Sequence, residues 1–343
     1  MGVAITELLK GKEIAINELA GKVLAVDAFN MLYQFLTTIR MPDGTPLKDS
    51  HGNVTSHLIG LFSRSTTLMA RGLKLVFVFD GEPPVLKRQE QERRAAIKAK
   101  ALLKLKEAEK HEDIESMKKY AGRTSRLTGE MIDEAKALLA ALGLPVVQAP
   151  SEGEAQAAHL AKRGDAYAVI SQDADAFLFG APRVVKNLNL TGRRKRAGAL
   201  AYDKVSPELL RLDDSLQALG LTQEQLIVFA ILVGTDYNRA GIKGIGPKKA
   251  LKLLAEHGTD YDAIFQEVKW DDEYPDLEWA ELMRAFREMP LTDDYELRWE
   301  KPDEAALRKL LVEQHDFSEE RITSTMKKLD TSAAQQKGLG EFF

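Results

Sequence analysis

The chain of 343 residues contains no cysteine, which excludes disulfide bridges and thiolate metal sites and leaves oxygen or imidazole as donors for any ion. It also lacks an apolar run near the roughly 20 residues that a bilayer-spanning helix needs. The longest, "LIVFAILVG" at 226–234, is far too short. No signal-peptide pattern opens the sequence, so a soluble intracellular protein is expected. Aromatic residues make up only 7%, the six histidines follow no ligand spacing, and no long internal repeat is visible. Neither charge sign dominates, since 48 Lys and Arg against 52 Asp and Glu leave −4; nucleic-acid-binding domains are commonly basic overall.

Distribution matters more than the sum. Residues 87–126 hold thirteen Lys or Arg against seven Asp or Glu, with few large apolar residues, and read as an exposed helical excursion. "RRKR" at 193–196 reads as a solvated loop with at most nonspecific nucleic-acid contact. Short apolar runs ("KVLAVD", "LKLVFVFD", "LPVVQAP", "AYAVIS", "RVVKNL") have the length of buried strands. They alternate with helical patterns such as "TGEMIDEAKALLAALG", which Thr128 caps and Gly143 ends. The expected fold class is α/β, a mostly parallel central sheet with helices on both faces. Beyond about residue 220, where Thr222 and Gln225 form a capping-box signature, the pattern becomes a helical lobe.

Acids collect where strands end: Asp27, Asp80, Glu152 and Glu154, and Asp173 and Asp175, with Asp236 closing the apolar helix. Each has a plain structural reading as a helix cap or turn former. In "SEGEAQAA", for instance, Ser151 and Glu154 have the spacing of a capping box. Turns accept Ser, Asn or Gly equally well, however, so carboxylates at four strand ends together point to cations. An all-oxygen donor set favours two Mg²⁺ ions, with Mn²⁺ able to substitute, and two such ions suit phosphodiester hydrolysis. The stretch "GIKGIGPKKALKLL", 241–254, supplies the phosphate grip: Gly244 and Gly246 let the backbone approach an anion, Pro247 opens a helix, and Lys248 and Lys249 add charge. It resembles a helix-hairpin-helix element; the alternative is an ordinary glycine-rich turn. Lys87 and Arg94 are seven residues apart, hence on one helical face, within reach of a phosphate. The end of the chain runs Gln336, Leu339, Phe342, Phe343, exposed apolar groups that a partner would bury.

"AVDAFNMLYQFL", "VFVFDGEPPVLK", "APSEGEAQAA", "SQDADAFLFG", "LVGTDYN" and "GIGPKKA" occur in the order and spacing of the flap endonucleases, and "QKGLGEFF" is similar to their sliding-clamp-binding box. The sequence therefore resembles that family from end to end, in an archaeal rather than eukaryotic form. The resemblance implies a 5′-nuclease/PIN-like fold with a helical arch, and a structure-specific 5′ flap endonuclease with 5′-3′ exonuclease activity in DNA replication and repair. It implies Asp27, Asp80, Glu152, Glu154, Asp173, Asp175 and Asp236 as metal-site acids. Lys87 and Arg94 would act on the scissile phosphate, and Tyr33 would stack on a nucleotide. Gly2, Arg40, Arg64, Glu152, Gly234 and Asp236 would lie against DNA, together with Gly244, Gly246, Lys248 and Lys249. The partners implied are flapped duplex DNA and a sliding clamp, for a monomeric enzyme of the archaeal cytoplasm with no membrane contact. The expected divisions are a nuclease region at 1–98, an arch at 99–126, a second nuclease region at 127–258, a helical part at 259–330 and a tail at 331–343. The alternatives are a related 5′ exonuclease, a repair nuclease cutting bubbles or gaps, and a non-enzymatic clamp-tethered DNA-binding scaffold.

Overall fold

The computed structural model describes residues 8–111, 113–172, 174–188, 193–195, 202–204 and 206–340. Contacts group the chain into two compact units, one of Met1–Ala15, Asp80–Glu90 and Ala149–Asp293, the other of Ile16–Phe79, Gln91–Gln148 and Asp294–Phe343. Strands and helices are numbered in chain order across both.

The first unit holds β1 (Lys12–Glu13), β5 (Ala168–Ile170), β6 (Arg183–Lys186) and β9 (Glu208–Arg211). Strands β5 and β6 run parallel, while β9 is antiparallel to both β6 and β1. β7 (Arg193–Lys195) and β8 (Tyr202–Lys204) form a separate antiparallel pair, where the sequence reads as a solvated loop. Its helices are α6 (Gly153–Arg163), α7 (Leu212–Leu219), α8 (Gln223–Val233), α9 (Pro247–His257), α10 (Tyr261–Glu267), α11 (Trp270–Glu273) and α12 (Trp279–Arg287). α8 begins with the capping box of Thr222 and Gln225. Its apolar run is buried on all sides, from Leu226 to Leu232, so it is a core helix, each large side chain contributing roughly 1.5–3 kcal/mol. Among the described residues no single helix is long and apolar enough to cross a membrane.

In the second unit β2 (Val23–Asp27), β3 (Lys74–Phe79) and β4 (Val146–Gln148) pair in parallel, β3 in the middle. Leu24, Ala25 and Val26 and the run Leu75–Phe79 are all but inaccessible, as expected of parallel strands covered on both faces. α1 (Ala28–Thr38) and α2 (Ser56–Met69) follow β2. α3 (Arg88–Lys110), which begins in the first unit, and α4 (Ile114–Ala121) form the charged excursion. α5 (Gly129–Ala141) starts on Thr128, whose hydroxyl accepts the Met131 N–H at 3.3 Å. Near the end lie α13 (Glu304–Leu307) and α14 (Glu319–Gly340), and α14 continues into the segment that reads as a tail.

A polar network ties these elements together. Glu134 on α5 meets His57 Nε2 at 3.0 Å and His315 Nε2 at 3.3 Å, and His315 Nδ1 meets Asp49 at 3.0 Å. Asp49 also accepts the N–H groups of His51 and Asn53 at 3.0 and 2.8 Å. Burial raises the Asp49 pKa, but these bonds outweigh it and hold the carboxyl down at about 2.

Candidate active site

The first unit builds a carboxylate centre where the Asp80 turn meets the start of α6. Gly81 donates to the Ser151 carbonyl at 2.6 Å and Glu82 to that of Pro150 at 3.1 Å, stitching the two segments together. A Cβ on Gly81 would lie 2.2 Å from the Ala149 carbonyl, so only glycine permits the approach. The capping box expected of Ser151 and Glu154 does not form. The N-cap is Glu152, with no side-chain cap of its own; the Ser151 hydroxyl instead donates to the Glu82 carbonyl at 2.8 Å. The orphan N–H of Gly153 is taken by Asp80 Oδ1 at 2.7 Å. The cap thus comes from a residue distant in sequence, and this frees Glu152 and Glu154 from capping.

Lys87 stands among these acids, its Nζ 2.6 Å from Glu152 and 3.8 Å from Asp236. Burial pushes its pKa down, but Glu152, Asp236 and Glu154 outweigh burial and raise it, so the ammonium stays charged. Asp80 and Glu152 both shift upward, chiefly through burial; Lys87 opposes the shift in each, and Asp80 adds to it in Glu152. Their negative charge is therefore costly where they stand. Tyr237, 5.6 Å from Lys87 Nζ by its ring centroid, went unnoticed in the sequence although it follows Asp236 directly. Its buried hydroxyl lacks a well-aligned hydrogen-bond partner, while burial, then Glu152, Asp236 and Glu154, raise its pKa strongly. The turn carrying it is fastened by Asn238, which accepts from the Thr235 hydroxyl at 2.7 Å and donates to the Ile231 carbonyl at 2.7 Å.

Asp175 opens a short 3₁₀ turn that packs against α6. Gly234 ends α8 at φ 112°, where an added Cβ would meet the Arg239 carbonyl at 2.5 Å. Gly244 has φ 79°, Gly246 is the N-cap of α9, and Pro247 is its first residue. The exposed Lys248 and Lys249 lie in that first turn, at the positive end of the helix dipole. In the second unit, Asp27 does what the plain reading expects, accepting the Asn30 N–H at 2.9 Å as the cap of α1. Tyr33 carries the Lys98 ammonium 5.1 Å from its ring centroid. Arg40 donates to the carbonyls of Leu36 and Gly44 at 3.0 and 2.7 Å. Arg64 is only 9% exposed, and its pKa falls to about 10, first through burial and then through Arg71. Lys87 closes a 3₁₀ turn and α3 starts at Arg88, so Lys87 and Arg94 do not share one regular α-helix as their spacing suggests. Gln336 and Leu339 fall within α14. Gly2, Asp173, Phe342 and Phe343 lie outside the described residues.

Among the described residues no three His, Asp or Glu side chains form a group ready to hold an ion. The donor chemistry nevertheless fits a hard divalent cation: the acids offer oxygen only, and burial makes their charge costly without a cation beside them.

Residues 1–101 match the XPG N-terminal domain and residues 143–236 the XPG I-region. The chain is 49% identical over 345 residues to flap endonuclease 1 of Pyrococcus abyssi, covering 100% of this chain and 98% of that one. It is 50% identical over 329 residues to flap endonuclease 1 of Pyrococcus furiosus, covering 96% and 95%. Among solved structures, flap endonuclease-1 from Methanococcus jannaschii superposes with a TM-score of 0.76 at 41% identity, over 98% of this chain and 100% of that one. The catalytic core of Rad2 in complex with DNA substrate gives 0.70 at 26% identity, over 96% and 100%.

Proposed function

The chain belongs to the flap endonuclease family, and from this and the charged centre around Lys87 we propose that it is a structure-specific 5′ nuclease hydrolysing phosphodiesters near the base of 5′ DNA flaps. Family membership adds trimming of displaced 5′ ends in DNA replication and repair, with 5′-3′ exonuclease activity. The observation that carries this reading is Lys87 Nζ at 2.6 Å from Glu152 and 3.8 Å from Asp236, a fixed cation in a buried acidic site where a phosphate can be received.

Asp80, Glu152, Glu154, Asp175 and Asp236, with Asp27 and Asp173 by family resemblance, would hold two divalent ions, Mg²⁺ or Mn²⁺, which supply charge stabilisation and an activated water when bound. Lys87 keeps its proton and offers Nζ to a non-bridging phosphate oxygen. Arg94 supplies a second cation to the same phosphate, and Tyr33 stacks on a nearby base. The start of α9, with Gly244, Gly246, Lys248 and Lys249, grips duplex backbone without reading sequence. Arg40, Arg64 and Gly234 line the DNA path, and family resemblance adds Gly2 to the DNA contacts. Gln336, Leu339, Phe342 and Phe343 dock a sliding clamp. The enzyme acts as a monomer in the archaeal cytoplasm.

Cleavage of a double-flap duplex, a gapped duplex and a bubble with Mg²⁺ tests this. The flap is expected to be cut fastest; a preference for the bubble would favour the repair-nuclease alternative, and DNA binding without cleavage would favour the scaffold.

A further inference from the structure

We propose that the first unit carries a second ligand site, a pocket running along α6 that takes the base of a nucleoside 5′-monophosphate and holds its phosphate at a basic edge. The cavity measures about 210 Å³ and lies among α6, the 178–180 turn, α8 and the end of α12. Small-molecule sites commonly enclose roughly 300–1,000 Å³, so this one accommodates a ring and leaves the rest of its ligand outside. Phe179, Ile227, Phe286 and Met289 give it an apolar wall.

Two cations, Lys162 and Arg287, line it beside His159, and no carboxylate does among the described residues. His159 is paired with Asp293 at 2.7 Å and Arg287 with Glu224, whereas the exposed Lys162 forms no ion pair among the described residues. The Lys162 side chain passes beside Gly180, its Cδ and Nζ 3.4 and 3.5 Å from where a Cβ would be. Gln223 adds a third feature. Its Nε2 donates to the Phe177 and Leu178 carbonyls at 2.7 and 3.1 Å, which fixes the amide in the pocket wall. Ring and anion occur together in a nucleotide.

The wall leads to the charged centre. Phe179 and Phe286 have ring centroids 5.3 Å apart, Phe286 and Tyr237 5.1 Å, and Lys87 Nζ lies 5.6 Å from the Tyr237 centroid. A ligand seated against Phe286 is thus two ring contacts from Lys87, and through them free mononucleotide modulates cleavage. This coupling rests on the nuclease reading above; the binding does not.

The probe is deoxyadenosine 5′-monophosphate, titrated calorimetrically into the full chain in EDTA, with deoxyadenosine and inorganic phosphate as separate arms. Saturable binding is expected, stronger than for either fragment and unchanged in Lys87→Ala. Lys162→Ala should weaken it about tenfold, the loss of one charge-assisted hydrogen bond. Leu291, 43% exposed at the pocket, tolerates enlargement, and Leu291→Trp should abolish binding. No saturation in the unsubstituted protein, phosphate matching the nucleotide, or binding that survives Leu291→Trp would overturn the site. With Mg²⁺ and a flap substrate, the nucleotide should alter cleavage by the unsubstituted enzyme but not by Leu291→Trp; an equal effect on both would overturn the coupling. Nucleotide binding by a protein that cuts no flap would sink the nuclease reading and leave the pocket standing.

Discussion

Lys87 and Asp80 carry different kinds of information about the centre. Lys87 contributes charge at one atom, held between Glu152 and Asp236, so Lys87→Ala should slow flap cleavage by about 10²–10³, as loss of one preorganised donor does. DNA binding should stay within a few-fold, checked by single-turnover kinetics beside an equilibrium binding assay. Asp80 has two roles, an acid of the centre and the acceptor for the Gly153 N–H. Asn can accept that bond but cannot hold a cation as a carboxylate does. Since burial disfavours the Asp80 charge, Asp80→Asn should abolish cleavage while leaving the melting temperature equal or higher. Asp80→Ala should lose the cap as well, about 1 kcal/mol of stability, measurable by thermal denaturation. Equal melting temperatures for the two variants would refute the capping role.

At the scale of elements, the strands over Val23–Asp27, Lys74–Phe79, Val146–Gln148, Ala168–Ile170 and Arg183–Lys186 were legible because fully buried parallel strands read as apolar runs. β1 and β9 were not, since Lys12–Glu13 and Glu208–Arg211 carry charge and gain their order from pairing with each other and with β6. The β7–β8 ladder escaped for the same reason: pairing, not apolar pattern, defines it. The histidine network was equally invisible, because Asp49, His57, Glu134 and His315 lie on four separated segments. It has a pH signature. The Asp49 pKa falls from 3.8 to about 2 in the fold, so its stabilising effect is complete above 3.8 and disappears as pH drops through about 2. Asp49→Asn should flatten the acid limb of the stability curve in that window, read from urea midpoints at stepped pH; an unaltered limb would exclude the linkage.

For the molecule as a whole, a net charge of −4 conceals an uneven distribution, with thirteen Lys or Arg against seven Asp or Glu over residues 87–126, and the proposed clamp box at the C-terminus can be tested apart from the centre. Phe342→Ala with Phe343→Ala should remove stimulation by a sliding clamp while basal cleavage persists; stimulation at the original level would discard the clamp box. Composition and motif order alone determined the absence of thiolate chemistry, the α/β class and the family, because these depend on residue type and local spacing. Tertiary structure decided which acid caps α6, how Tyr237 lies beside Lys87, and why Ser151 turns to Glu82. Those outcomes depend on which orphan donors and buried charges meet across distant segments, and a backbone N–H is answered by the nearest suitable acceptor in space. The opening of α6 is the clearest instance: Ser151 and Glu154 have the spacing of a capping box, yet the packed turn brings Asp80 to Gly153 first.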